Sequence, residues 1–334
     1  MSRPAEFTVS IVVPALNEAD NLAFLVEKLT ASTANFPDAE IIIVDDGSSD
    51  DTAETLRRLR ARHDKLRFVR LSKNFGHQAA LRAGMEHARG DCVACLDADL
   101  QHPPEMLATM VRRWQDGADI VNCIRRDLVT LPRFKRWTSR WFYRSLSWIS
   151  GLELMPGSSD FRLLDRKVAE ILNRMPESDL FYRGIIPSLG FQVATIDYMP
   201  NARLLGQSKF TFRKMVKLAL NGVISTSARP LRLATYFAFV TALGALSFLT
   251  YELYTYIVRQ SVVPGWASTV AVVLMIGTMQ LMVLGVIGEY LGQVLKETRR
   301  RPPYLVAESE AELETEGAKA PTMPVAIRST THAR

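Results

Sequence analysis

Four short polar clusters in the N-terminal third of the chain carry the side chains that could do chemistry. They are Pro14-Ala15-Leu16-Asn17-Glu18, Asp45-Asp46-Gly47-Ser48-Ser49-Asp50, Ser72-Lys73-Asn74-Phe75-Gly76-His77 and Asp97-Ala98-Asp99-Leu100-Gln101. Asp97 and Asp99 are separated by one small residue. In extended backbone such a pair shares a face, so both carboxylates can approach one divalent cation. Hard oxygen donors of this kind suit Mg²⁺ or Mn²⁺, which keep waters and bind phosphate oxygens, and Gln101 can supply a further oxygen. The carboxylates of Asp45 and Asp46 can accept hydrogen bonds from a base N–H or from ribose hydroxyls. The chain has neither a Gly-x-Gly-x-x-Gly nor a Gly-Lys-Ser/Thr phosphate loop, which argues against a dinucleotide oxidoreductase or a P-loop NTPase. Without such a cradle, a metal must neutralise a bound pyrophosphate. Each cluster alone has a plainer reading: Ser48 and Asp51 fit a helix-capping box, and Asp97 and Asp99 fit a strand-end turn.

The plainer readings weaken once the elements that position these clusters are considered. Apolar runs predict strands at Thr8–Val13, Glu40–Val44, Leu66–Leu71, Asp91–Leu96 and Asp119–Cys123. Helical stretches fall between them near Asp20–Thr30, Asp51–Arg62, His77–Ala88 and Pro104–Gln115. This alternation implies an α/β fold with a mostly parallel, doubly wound sheet, whose ligands bind past the carboxyl ends of the strands. All four clusters fall at those ends. The three cysteines, Cys92, Cys95 and Cys123, are too few for a disulfide framework. Cys92 and Cys95 would point to opposite faces of one strand, so they read as core thiols in a reducing compartment.

The C-terminal third has a different character. Leu233 to Tyr251 carries no charge, and the apolar run continues to Val258 past Glu252; Trp266 to Gly288 is again uncharged. Helices over about 233–258 and 266–289 would each span the ~30 Å of a bilayer core. Tyr251, Tyr254, Tyr256 and Trp266 form an interfacial aromatic belt. Arg213, Lys214, Lys217, Arg229 and Arg232 precede the first span and Lys296, Arg299, Arg300 and Arg301 follow the second, while the loop between holds only Arg259. Positive residues accumulate on the cytoplasmic side, so the catalytic domain and both termini are expected there. No signal peptide is read at the start, where Arg3 and Glu6 precede an apolar run, Val9 to Val13, that is too short for one. The expected organisation is a catalytic domain over 1–208, a juxtamembrane amphipathic segment over 209–230, a two-helix hairpin over 231–292 and a tail over 293–334, disordered from about 307. Within the first unit, residues 131–150 mix Arg133, Lys135, Arg136 and Arg140 with Trp137, Trp141 and Trp148. With spans already present, this reads as an interfacial helix rather than a nucleic-acid surface. Gly277, Gly285, Gly288 and Gly292 would let copies of the chain pack closely, leaving a homo-oligomer open.

At this point the sequence resembles the polyprenyl-phosphate glycosyltransferases of glycosyltransferase family 2. The resemblance rests on Val12-Val13-Pro14-Ala15-Leu16-Asn17-Glu18, Val44-Asp45-Asp46-Gly47-Ser48, Lys73-Asn74-Phe75-Gly76 and Asp97-Ala98-Asp99-Leu100-Gln101. It continues through Ser159-Asp160-Phe161-Arg162, Arg183-Gly184, Gly206-Gln207-Ser208-Lys209-Phe210 and Pro230-Leu231-Arg232-Leu233. It implies a GT-A fold and inverting, metal-dependent transfer from a nucleotide-diphosphate sugar, UDP-linked by preference, to a polyprenyl phosphate at the cytoplasmic membrane. By the same resemblance Pro14, Asn17, Glu18, Asp45, Asp46, Lys73, Gly76 and Asp97 bind the donor. Asp97, Asp99 and Gln101 hold Mg²⁺ or Mn²⁺, and Asp160 and Asp97 are the catalytic candidates. Arg162, Arg203 and Lys209 are the expected partners of the acceptor phosphate. His102 departs from the aspartate many relatives carry and is expected to be a loop residue without catalytic work. Transfer to a non-phosphorylated lipid, a processive polysaccharide synthase and a non-catalytic membrane scaffold are the alternatives. Retention of the aspartates argues against the last.

Overall fold

The computed structural model describes residues 3, 6–36, 38–126, 157–177, 180–201, 227, 229–259 and 265–309. The expected interfacial segment 131–150, nearly all of the juxtamembrane segment 209–230, and both Arg203 and Lys209 lie outside them. Among the described residues, four parallel strands form the centre of the sheet: β1 (Val9–Ala15), β2 (Ala39–Asp45), β3 (Leu66–Leu71) and β4 (Cys92–Cys95). Their side chains are almost all buried, as near-continuous Val/Ile runs require when helices cover both faces.

Alternation along the strands divides the core in two. Ile11 and Val13 pack with α1 (Ala19–Ser32) and with α4 (Leu107–Gln115), which follows a 3₁₀ turn at Pro104–Met106. Val12, Ile42 and Val44 pack on the other side with α3 (His77–His87). A β-carbon on Gly84 of α3 would lie 2.2 Å from Val12 Cγ1, so glycine lets this helix sit directly on the sheet. The helix α2 (Thr52–Arg60) links β2 to β3. All three cysteines are free and buried, Cys92 on one face and Cys95 on the other, and burial pushes each thiol up to about 12.

Beyond β5 (Ile120–Arg125) the sheet departs from simple alternation. β6 (Ser158–Asp165) inserts antiparallel between β4 and β5, and is followed by α5 (Arg166–Arg174) and α6 (Tyr182–Ser188). β7 (Val193–Tyr198) adds parallel to β5 at one edge. At the other edge β8 (Val306–Ser309) pairs antiparallel with β3, completing the eight-stranded order β7-β5-β6-β4-β1-β2-β3-β8. The expected loss of order from about 307 is therefore corrected at its start, because the open edge of β3 supplies backbone partners that the polar tail sequence does not advertise.

The helices α7 (Arg229–Arg259) and α8 (Trp266–Thr298) are long and apolar enough to cross a membrane, with mean hydropathy 1.7 over Leu231–Thr255 and 1.9 over Val272–Thr298. Their large apolar side chains face outward: Phe239 is 65% and Leu281 72% exposed. A water-facing surface of that kind is rare on a soluble monomer. The second helix runs nine residues past the expected end at 289, through Leu291, Gln293, Leu295 and Lys296, all good helix formers.

Candidate active site

The four polar clusters meet at the carboxyl ends of the central strands. Asp45 ends β2 fully buried, its Oδ1 accepting the Ser48 N–H at 2.8 Å. Its Oδ2 lies 3.3 Å from Arg70 Nε, an ion pair without hydrogen-bond alignment. Asp46 is also buried, and its two oxygens accept the N–H groups of Phe75 (2.7 Å) and Gly76 (2.9 Å). Burial pushes its carboxyl up against the pull of those bonds, leaving it above the ordinary aspartate value. The second cluster thus pins the third. Gly47, at φ 66°, makes this contact feasible, since a β-carbon there would lie 2.3 Å from the Lys73 carbonyl carbon.

The first cluster closes on the second. The Asn17 N–H donates to Ser48 Oγ (2.9 Å), its Oδ1 accepts from the Ser49 N–H (2.9 Å), and its φ of 55° is left-handed. The Glu18 N–H donates to Thr52 Oγ1, and its carboxylate accepts from the Asn21 amide at the start of α1. Pro14 is buried at the end of β1, while Lys73 is exposed with Nζ 5.1 Å from the Phe75 ring. Gly76, at φ 98°, turns the chain into α3.

The fourth cluster faces a buried ion network on β6. Asp160 and Arg162 are two residues apart on one strand face and are 2% and 3% exposed. Asp160 Oδ1 accepts from Arg162 Nη2 (2.9 Å), and Oδ2 accepts from Arg183 Nη2 (2.8 Å) and Gln78 Nε2 (3.3 Å). His77 Nε2 lies 3.3 Å from the same Oδ2 and 3.6 Å from Asp97 Oδ1. Burial alone would push the Asp160 carboxyl up, but the Arg183 charge, the His77 hydrogen bond and the Arg162 charge hold it well below the usual carboxylate range. Arg162 is spent on Asp160 and on the Ser159 carbonyl (2.8 Å), so its expected place at an acceptor phosphate is corrected to that of a buried counter-ion. A carboxylate at this distance offsets much of the cost of burying the guanidinium.

Asp97 stands between two imidazoles. His102 is buried and stacked on Phe161 (centroids 4.8 Å apart); its Nδ1 accepts the Asp97 N–H at 3.0 Å, and its Nε2 is 3.6 Å from Asp97 Oδ2. It is more than a loop residue, because it holds the backbone of Asp97 and stands beside its carboxylate. Asp97 Oδ1 is buried without a hydrogen-bond partner among the described residues. Asp99 Oδ1 accepts the Gln101 N–H (3.1 Å), and Gln101 Oε1 accepts from Arg125 Nη1 (3.4 Å). Between them Leu100 holds φ 60°, a strained conformation for a branched side chain. The open oxygen on Asp97 fits a divalent cation. No group of three or more His, Cys, Asp or Glu that could hold a metal exists among the described residues, so such an ion would complete its shell from phosphate and water. Reading the sequence missed Gln78, and assigned no role of their own to His77 and Arg183. His77 closes a cluster already singled out, which was the available signal.

The family model described as glycosyl transferase family 2 matches residues 10–172. The chain is 34% identical over 299 residues to a prophage bactoprenol glucosyl transferase homolog of Escherichia coli (strain K12), covering 89% of this chain and 98% of that one. It is 35% identical, with the same coverage, to the bactoprenol glucosyl transferase of Shigella phage SfX. An uncharacterised glycosyltransferase of Synechocystis is 37% identical over 90% of this chain and 95% of its own length. Among solved structures, a mannosyltransferase from Pyrobaculum calidifontis, in complex with GDP-Man and Mn²⁺, aligns at TM-score 0.47 and 19% identity over 87% of this chain and 89% of that one.

Proposed function

The chain belongs to glycosyltransferase family 2, and from that premise we propose that it transfers a sugar from a nucleotide-diphosphate donor to a polyprenyl phosphate at the cytoplasmic face of a membrane. The reading rests above all on Asp160. A general base for a hydroxyl acceptor must be able to take a proton. Asp160 is buried against two arginines and held well below the usual range, so it is poorly suited to that task. A lipid monophosphate has its second pKa near ~6 and is already largely dianionic at neutral pH. It needs cations and orientation rather than deprotonation. The bactoprenol transferases among the relatives support the same acceptor class.

In this reading the rim built by Asn17, Asp45, Asp46 and the 72–76 loop receives the nucleoside. Asp97, Asp99 and Gln101 would hold Mg²⁺ or Mn²⁺, whose contribution when bound is to neutralise the departing diphosphate. Asp160 fixes Arg183, and His77 bridges Asp160 to Asp97, so that charge stands where the sugar and two phosphates would meet. Displacement in a single step, from the face opposite the leaving group, inverts the anomeric carbon. Arg203 and Lys209 are assigned to the acceptor phosphate. The helices α7 and α8 cross the bilayer, with the basic residues at both outer ends placing the catalytic domain in the cytoplasm.

The test is an assay of the purified full chain with UDP-glucose, other UDP sugars and GDP-mannose against undecaprenyl phosphate, diacylglycerol and ceramide, with and without Mn²⁺. Metal-dependent product on undecaprenyl phosphate alone is expected. Product on an uncharged lipid, or on undecaprenyl phosphate with chelator present, would overturn the assignment.

A further inference from the structure

The segment that follows α8 returns to the catalytic sheet and touches it where the nucleotide loop begins. Three contacts carry this. The Ser72 N–H donates to the Leu305 carbonyl at 2.9 Å, directly after β3 and at the head of the 72–76 loop whose Phe75 and Gly76 N–H groups hold Asp46. Glu308 pairs across the strands with Arg70 and accepts a fork from Arg57, with Nε–Oε1 at 2.9 Å and Nη2–Oε2 at 2.6 Å. Arg70 in turn is the ion partner of Asp45. Tyr304 packs against the core and donates its hydroxyl to Glu86, whose other oxygen receives Arg82 Nε. Arg82 then binds the carbonyls of Asn173, Met175 and Glu177 ahead of α6, which carries Arg183.

We propose that this strap, residues 299–309, positions the donor site: Tyr304, Leu305 and Glu308 act through the 72–76 loop and through Arg70 to hold Asp45 and Asp46 in place. Donor affinity then depends on whether the strap is docked, and the strap is continuous with α8. The inference rests on the nucleotide-binding reading given above. The main-chain pairing is short and the Arg57–Glu308 pair is partly exposed, 42% and 22% by side chain. Partly exposed ion pairs contribute little, and short edge strands open locally. The strap is therefore a graded restraint on the loop.

The experiment uses the full chain carrying Arg57→Glu, Glu308→Arg, both together, and separately Tyr304→Phe. Hydrogen exchange at the amides of 72–76 is measured, together with UDP binding and the kcat and KM for the nucleotide sugar. Each single reversal sets like charges face to face, so exchange of Phe75 and Gly76 should quicken roughly three- to tenfold. UDP Kd and donor KM should rise by a similar factor, with kcat within about twofold, since only ground-state placement is lost. The double reversal should recover part of each change, since it restores the 57–308 pair but leaves like charge against Arg70, and Tyr304→Phe should give a smaller shift in the same direction as the single reversals. Unchanged exchange in the single reversals would overturn the proposal, as would faster exchange with unaltered KM or a fall in kcat alone. If the wild-type chain binds neither UDP nor GDP, the functional reading fails instead, and with it the donor-site role of the strap. The exchange measurements still show whether the strap restrains the loop.

Discussion

The two rims of the sheet are built from the same residue types and put them to opposite use. At the amino ends of the parallel strands, Arg3 pairs with Asp119 at 2.9 Å and with Asp165, Lys167 pairs with Asp119 at 2.7 Å, and the Trp114 N–H donates to Asp165 at 2.8 Å. Asp91 accepts from the backbone and hydroxyl of Thr8. Each of these aspartates has a donor, and the positive φ angles nearby belong to Gly117 and Gly190. At the carboxyl ends, Asn17 and Leu100 take left-handed angles, Asp45 and Asp46 are buried side by side, and Asp97 keeps an oxygen with no hydrogen-bond partner among the described residues. Charge that is paired locally holds a fold together. Charge held rigid but incompletely paired marks a place where a ligand completes the arrangement.

The contrast can be broken most directly by removing the ion assigned to the upper rim, the one at the carboxyl ends, the lower rim being that at the amino ends. Chelation should take turnover to background, with Mn²⁺ or Mg²⁺ restoring it, while the melting temperature stays nearly fixed because no described lower-rim contact needs a metal. Asp97→Asn and Asp99→Asn should each lower kcat by roughly 10²-fold or more, the scale of a lost electrostatic partner at a reacting centre. Circular dichroism should report an intact fold. A loss of less than about threefold in both would erase the distinction between the rims.

Asp160→Asn should cost both activity and stability. It strips the counter-charge from buried Arg162, and breaking a buried pair costs roughly 3–5 kcal/mol, read as a lower denaturant midpoint. The sign of its pH dependence follows from the depressed carboxyl. That group contributes stability fully above the unfolded aspartate value of ~3.9, and the contribution drains away as pH falls through the lower folded value. Wild type should therefore lose stability more steeply than Asp160→Asn below about pH 4. The smallest effect belongs to the lower rim. Lys167→Ala should shift stability by about 1 kcal/mol or less and leave kcat and KM unchanged.

Much of the upper rim was legible because short, near-continuous apolar runs ended in polar clusters at regular spacing, and a parallel sheet collects such ends at one edge. Residues Val9–Ala15 and Ala39–Asp45 needed nothing from elsewhere to be read as strands. β6 was different. In Ser158–Asp165 a buried aspartate and arginine interrupt the apolar pattern, and the strand is stable only because β4 and β5 flank it. Arg162 read as a partner for the acceptor phosphate because arginine is rarely buried, and nothing local says that Arg183 stands beside Asp160. Likewise Val306–Ser309 sits in an acidic, small-residue tail whose partners, Arg57 and Arg70, lie more than two hundred residues earlier. Pairings across such distances are decided by packing.

The buried thiols have a practical consequence. With Cys92, Cys95 and Cys123 enclosed in the core and pushed up to about 12, almost no thiolate is present at neutral pH. The folded native chain should be nearly silent to maleimides. A single cysteine placed on an exposed position such as Leu305 would then take a fluorophore or spin label with little background, turning the wild-type thiol content into a ready-made blank for distance measurements.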